Sequence, residues 1–110
     1  MLFGNKKDSI AKAVAKGKEA GVLKYINDKD MEVRLAAIAA IGKVGKDDGF
    51  NAMVPLLHDA NPTLRAAAAA AIGEIGNVHG KAHLSRQLQN ETDEKVKEAL
   101  KAAMAKIANY

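Results

Sequence analysis

The sequence predicts an all-α fold, an α-solenoid of three two-helix repeats plus an N-terminal capping helix, forming a single domain over residues 1–110. Three observations predict it. The stretch VRLAAIAAIGKVG at 33–45 recurs 31 positions later as LRAAAAAAIGEIG at 64–76. Each copy carries its apolar residues at helical spacing, and a third copy follows 32 residues further on. The residues that start and stop helices recur with the copies. A short helix cannot bury its apolar face alone, and stacked copies of one helical unit give it a continuous core.

The elements follow in chain order. Residues 8–16, DSIAKAVAK, form the capping helix, with Ile10, Ala13 and Val14 on one face. The repeats then run over roughly 18–45, 49–76 and 80–108. Each opens with a first helix, expected near 18–27, 49–58 and 80–90, marked by the i, i+4 pairs Val22/Ile26, Met53/Leu57 and Leu84/Leu88. Pro55 sits inside the middle one, where it removes a backbone donor and should kink or delay the helix.

Second helices carry the stronger signal. Val33, Ala36, Ala37, Ala40, Ile41 and Val44 mark one helical face. The same six positions are apolar in the next copy (Leu64, Ala67, Ala68, Ala71, Ile72, Ile75) and in the third (Val96, Ala99, Leu100, Ala103, Met104, Ile107). The one extra residue of the third copy falls between Leu88 and Val96. Asp30, Asn61 and Asp93 or Thr92 stand where side-chain oxygens can cap first-turn N–H groups. Pro62 occupies a first helical position, where its missing N–H is harmless. Gly45 and Gly76 close the first two copies, in the left-handed conformation that glycine accepts. The third copy has Ala108 there, with Asn109 or a frayed chain end in its place.

Composition narrows the function classes. The chain is 48% hydrophobic but 4% aromatic, so its core is aliphatic and its helices pack closely. There is no cysteine, hence no disulfide framework, thiolate metal site or cysteine nucleophile. The apolar start MLF precedes Lys6 and Lys7, the wrong order for a secretory signal, and a cytoplasmic location is expected. The longest apolar runs, 35–41 and 66–72, are too short to cross a bilayer, so no membrane partner is expected. The net charge of +4 divides as +3, −1 and +2 over residues 1–30, 31–60 and 61–110. Nucleic-acid binders show a denser basic stripe, and this dispersed excess argues against such a partner.

The segments DKDMEVRLAAIAAIGKVG and DANPTLRAAAAAAIGEIG resemble the short HEAT-like repeats named after the phycobilisome lyases. That family repeats D-x-x-x-x-V-R-x-x-A-x-x-A-L-G-x-I-G and often places V-P in its first helix, as Val54-Pro55 does here. The resemblance covers residues 18–107 and weakens in the third copy, which has Lys97, Ala105 and Ala108 at the arginine and glycine positions. It implies a concave surface lined by second helices, and protein–protein contact rather than chemistry. It also implies a structural ladder linking repeats and turns, made here by Asp28 with Arg34, Asp59 with Arg65, and Asn90 or Glu91 with Lys97. Arginine's planar fork suits the carboxylates and carbonyls of such turns. Ankyrin is the rival, echoed by NPTLRAA, but its helix at that motif is brief, whereas the pattern here runs unbroken for about 14 residues.

Gly42 and Gly73 lie inside second helices, where each costs about 1 kcal/mol relative to alanine. Repetition of that cost points to close approach of a neighbouring helix. A second stripe differs among copies: Leu35 and Ile38, then Ala66 and Ala69, then Glu98 and Lys101. Leu35 and Ile38 are either an exposed partner-binding patch or buried against the N-terminal helix. If the stripe is exposed, Ala69→Leu should be tolerated while Ala68→Leu overpacks the core. Phe3, in the apolar tip, is a further candidate for docking a partner. His79 and His83 have i, i+4 spacing but no third ligand, so no metal site is expected. Ser9 and Ser85 lie in no nucleophile motif, GKVGKDDG follows a helix rather than a strand, and neither a catalytic residue nor a cofactor is implied.

The expectation is a non-enzymatic protein-interaction module or scaffold, monomer or weak homodimer. The alternatives are an accessory subunit of a chromophore lyase and a weak nucleic-acid binder.

Overall fold

The computed structural model describes residues 5–107, which form seven helices and no strand. These are α1 (Lys6–Ala15), α2 (Glu19–Leu23), α3 (Met31–Val44), α4 (Asp47–Leu56), α5 (Pro62–Ile75), α6 (Gly80–Asn90) and α7 (Glu94–Ile107). Local chemistry sets most boundaries. Asn5, Asp30 and Asn61 each accept a first-turn N–H at the start of α1, α3 and α5. Asp93, rather than Thr92, caps α7 by accepting the Val96 N–H at 3.1 Å.

Of the first helices, α6 spans the expected 80–90, whereas α2 and α4 depart from expectation. α2 is only five residues, because from Tyr25 on the N–H groups bond three residues back (Tyr25 to Val22, Ile26 to Leu23) and tighten the chain into turns. α4 begins and ends two residues earlier than the spacing indicates. Its start is capped from another repeat: the Glu19 carboxylate accepts the N–H groups of Lys46 at 2.6 Å and Gly49 at 3.0 Å. Its end is set by Pro55 in the last turn, after which the Leu57 and His58 N–H groups also bond three residues back.

The two closing glycines also differ. Gly76 is left-handed, with φ 75°, as expected. Gly45 is extended, at φ −67° and ψ 139°, so the expected left-handed turn is absent there. Glycine is required at 45 for space instead, since a Cβ would press on the Ile41 carbonyl and lie 3.0 Å from Ile75.

α1, α3, α5 and α7 pack side by side as one layer, with α2, α4 and α6 behind it, in a molecule 46 × 28 × 17 Å. The α3–α5 and α5–α7 contacts are far more extensive than those of α2 with α4 or α4 with α6. Glycine and alanine in the first layer account for this. A Cβ on Gly42 would lie 3.2 Å from Glu74 Cβ, and one on Gly73 would lie 2.8 Å from Ala103 Cα. Drawing one layer together more than the other curves the stack towards that layer, which therefore lines the concave side.

All eighteen face positions are buried or half-buried. The buried face is wider than expected, however. Ile38 and Ala69 are both fully buried, which removes the division of faces that made Ala69→Leu tolerable. Both positions lie one turn before Gly42 and Gly73, on the side that meets the next second helix. The equivalent Lys101 is exposed, because no helix among the described residues packs beyond α7.

Candidate functional site

Curvature makes the concave layer into a groove across α3, α5 and α7, with a volume of about 380 Å³. Its floor repeats with the sequence: Ala39, Ala70 and Ala102 in one row, with Ala67 and Ala99 in another. The same turn of each helix supplies the same position, so the floor is almost wholly methyl groups. A shallower hollow of about 250 Å³ extends it over α1, lined by Ala11, Val14, Ala36, Ala39, Ala40 and Lys43.

Charge is confined to one rim, where the next turn gives Lys43, Glu74 and Lys106. Lys106 Nζ bridges Glu74 at 3.2 Å, and both are well exposed. Such a floor offers dispersion and exclusion of water, and the rim offers charges to an approaching polar group. The lining holds no Ser, Thr, Cys, His or Tyr.

The expected partner-binding residues are not this groove. Ile38 is core, and its assignment to a partner surface is corrected by its complete burial. Leu35 is half-buried and packs against the core. Phe3 lies outside the described residues. The floor alanines had a signal in the sequence, the exposed row 39/70/102.

The residues assigned to a ladder occupy the edge where second helices begin. Within a repeat the acid and the arginine do not meet through side chains. Asp28 pairs with Lys6 at 2.8 Å, which holds its carboxyl below the usual carboxylate range. Arg34 donates to the Ile26 carbonyl at 2.8 Å and the Asn27 amide oxygen at 3.4 Å. Arg65 donates to the Asp59 and Ala60 carbonyls and, through Nε and NH2, to both oxygens of Glu91 in the next repeat, at 2.9 and 2.8 Å. Lys97 bridges Glu94, at 3.2 Å.

The acids share a different role. Asp28, Asp59 and Glu91 each accept the backbone N–H two residues on, from Asp30, Asn61 and Asp93. Glu91 therefore takes the place of Asp59, and the extra residue of the third copy lies between Leu88 and Glu91. The Glu91 side chain is 1% exposed and also accepts from Gln87 at 3.0 Å. The Arg65 hydrogen bond, aided by those from Asp93 and Gln87, lowers its carboxyl from 4.5 to about 2.

His79 is exposed beside α6, whereas His83 lies edge-on to Phe50, with ring centres 6.0 Å apart. Among the described residues no three His, Cys, Asp or Glu side chains cluster as metal ligands, and no helix is long and apolar enough to cross a membrane.

Among curated proteins, no relative matches the chain. A family model for HEAT repeats matches residues 19–105, spanning all three helical pairs and leaving out α1. The chain is thus a member of the HEAT repeat family, whose repeats commonly serve as protein-interaction modules.

Proposed function

We propose that this chain is a non-enzymatic protein-interaction module whose concave alanine groove receives a segment of a partner protein. The observation that carries the reading is the methyl floor, which repeats in register across three helices. A floor of Cβ atoms lets a partner backbone approach closely and leaves room for the partner's own large side chains. Apolar burial then supplies affinity, at about 25 cal/mol per Å² removed from water. Lys43, Glu74 and Lys106 orient the segment from one rim. The polar outer residues of α7, including Glu98 and Lys101, support a monomer, since neither offers an apolar surface to a second copy. Absence of cysteine is in keeping with the reducing cytoplasm.

A lyase accessory role rests on the subtype resemblance of the repeats and draws no support from a groove whose polar groups stand on one rim. For nucleic acid, the exposed second-helix cations Lys43, Lys95, Lys101 and Lys106 are interspersed with Glu32, Glu74 and Glu98.

The test is capture from the native host with two exposed arginine substitutions. Ala70→Arg fills the groove floor, and Asn51→Arg alters the opposite layer. Ala70→Arg should melt like the unsubstituted protein and lose its partner, while Asn51→Arg keeps it. Retention of the same partner by Ala70→Arg would remove the groove from the interaction.

A further inference from the structure

The concave layer has three seams, and they are fastened unequally at the edge where second helices begin. The α1/α3 seam is closed there by Lys6 on Asp28 at 2.8 Å and Lys7 on Glu32 at 2.9 Å. The α5/α7 seam is closed by the buried fork of Arg65 on Glu91. The α3/α5 seam has no such tie among the described residues. Arg34 is engaged by Ile26 and Asn27 of its own repeat, and Asp59 by the Asn61 N–H. At its opposite edge the same seam is held firmly. Gly42 lies against Ala71 and Glu74, and in the layer behind it Glu19 of α2 grips the start of α4 through Lys46 and Gly49.

We infer that the α3/α5 seam is a hinge: α1–α3 swings as one body against α4–α7, pivoting at Lys46–Gly49, while the Arg34–Asp59 edge opens and closes. A body fastened at one edge rotates about that edge, and the bodies on either side of this seam carry the missing tie. The pivot is a short link, Gly45 and Lys46, between two helix ends, where hinges commonly absorb backbone change. The swing alters the separation of Ala39 from Ala70 but not that of Ala70 from Ala102. It therefore tunes the width of the groove in its N-terminal half alone. Asp59 is one methylene shorter than Glu91, and Asp59→Glu supplies the reach that latches Arg34.

The chain has no cysteine, so paired spin labels are placed by substitution alone. Lys16→Cys with Thr63→Cys spans the hinge. Asp47→Cys with Lys95→Cys, shifted by one repeat, spans the α5/α7 seam. All four positions are exposed. The distance distribution of the first pair, read by pulsed electron resonance, should be roughly twofold wider than that of the second. Asp59→Glu should narrow the first to match and leave the second unchanged. Equal widths without that substitution, or a first width that Asp59→Glu does not alter, overturns the hinge.

Discussion

The α3/α5 and α5/α7 seams are built from nearly the same thirteen residues, yet they pack differently. Ile38 faces the first and Ala69 the second, and that replacement lets α7 come closer to α5 than α5 comes to α3. The glycines register the difference: the space beside Gly73 ends on the backbone of Ala103 at 2.8 Å, whereas beside Gly42 it ends on Glu74 Cβ at 3.2 Å. The closer seam also carries the buried ion pair of Arg65 and Glu91, for which the looser seam has no counterpart among the described residues. Alanine enrichment in α5 is thus a choice of spacing, and a polar tie accompanies the tighter choice.

Removal of that tie is the most damaging change expected. Arg65→Ala leaves the Glu91 carboxylate buried without its partner and should lower unfolding free energy by about 3–5 kcal/mol. Arg34→Ala strands only the Ile26 carbonyl and the Asn27 side-chain oxygen and should cost about 1 kcal/mol. Denaturant titration of the two variants compares the seams directly, and equal losses would erase the distinction between them.

Acid probes the same pair without mutation. Glu91 has its carboxyl lowered from 4.5 to about 2 in the folded protein, chiefly by Arg65. A group so depressed stabilises the fold above its unfolded pKa, and the contribution is lost as pH falls through the folded value. Stability should therefore fall between about pH 4.5 and 2, by about 3 kcal/mol from this group. In Glu91→Gln that portion of the acid dependence should vanish from thermal melts.

Packing gives smaller effects. Ala69→Leu should cost about 1–3 kcal/mol, as much as Ala68→Leu, since both sites are fully buried. Gly73→Ala should lose about 1–2 kcal/mol, because the clash with the Ala103 backbone exceeds the gain in helix propensity. Gly42→Ala meets a softer boundary and should be close to neutral. The smallest change expected is a gain of about 1 kcal/mol from Asp59→Glu, through a new charge-assisted bond to Arg34. A calorimetric scan with no rise in melting temperature would remove that bond.

These differences explain what could be read from the chain and what could not. The layered all-α fold was legible because six apolar positions recur in each second helix and the caps recur with them. The roles of Gly42 and Gly73 were legible too, since an internal glycine repeated at one register implies a neighbour. Ile38 was not placed, because a helix flanked on both sides needs a buried face wider than its most regular stripe, and periodicity reports only the stripe. The partner of Arg65 was also beyond reach. A guanidinium travels far enough to serve the next repeat, and spacing within one copy says nothing of contacts between copies. The start of α4 was not legible because Glu19, 27 residues before Lys46, supplies a cap that no local pattern contains.

The exposed charges of α7 carry a consequence for how such a chain can lengthen. A new unit added after Ile107 would meet Glu98 and Lys101 rather than the apolar positions that Ala66 and Ala69 present to α7. A duplicate of residues 46–76 inserted after Gly76 would find a compatible neighbour on each side. The interior therefore accepts further units, and each inserted unit would lengthen each row of alanines on the groove floor by one.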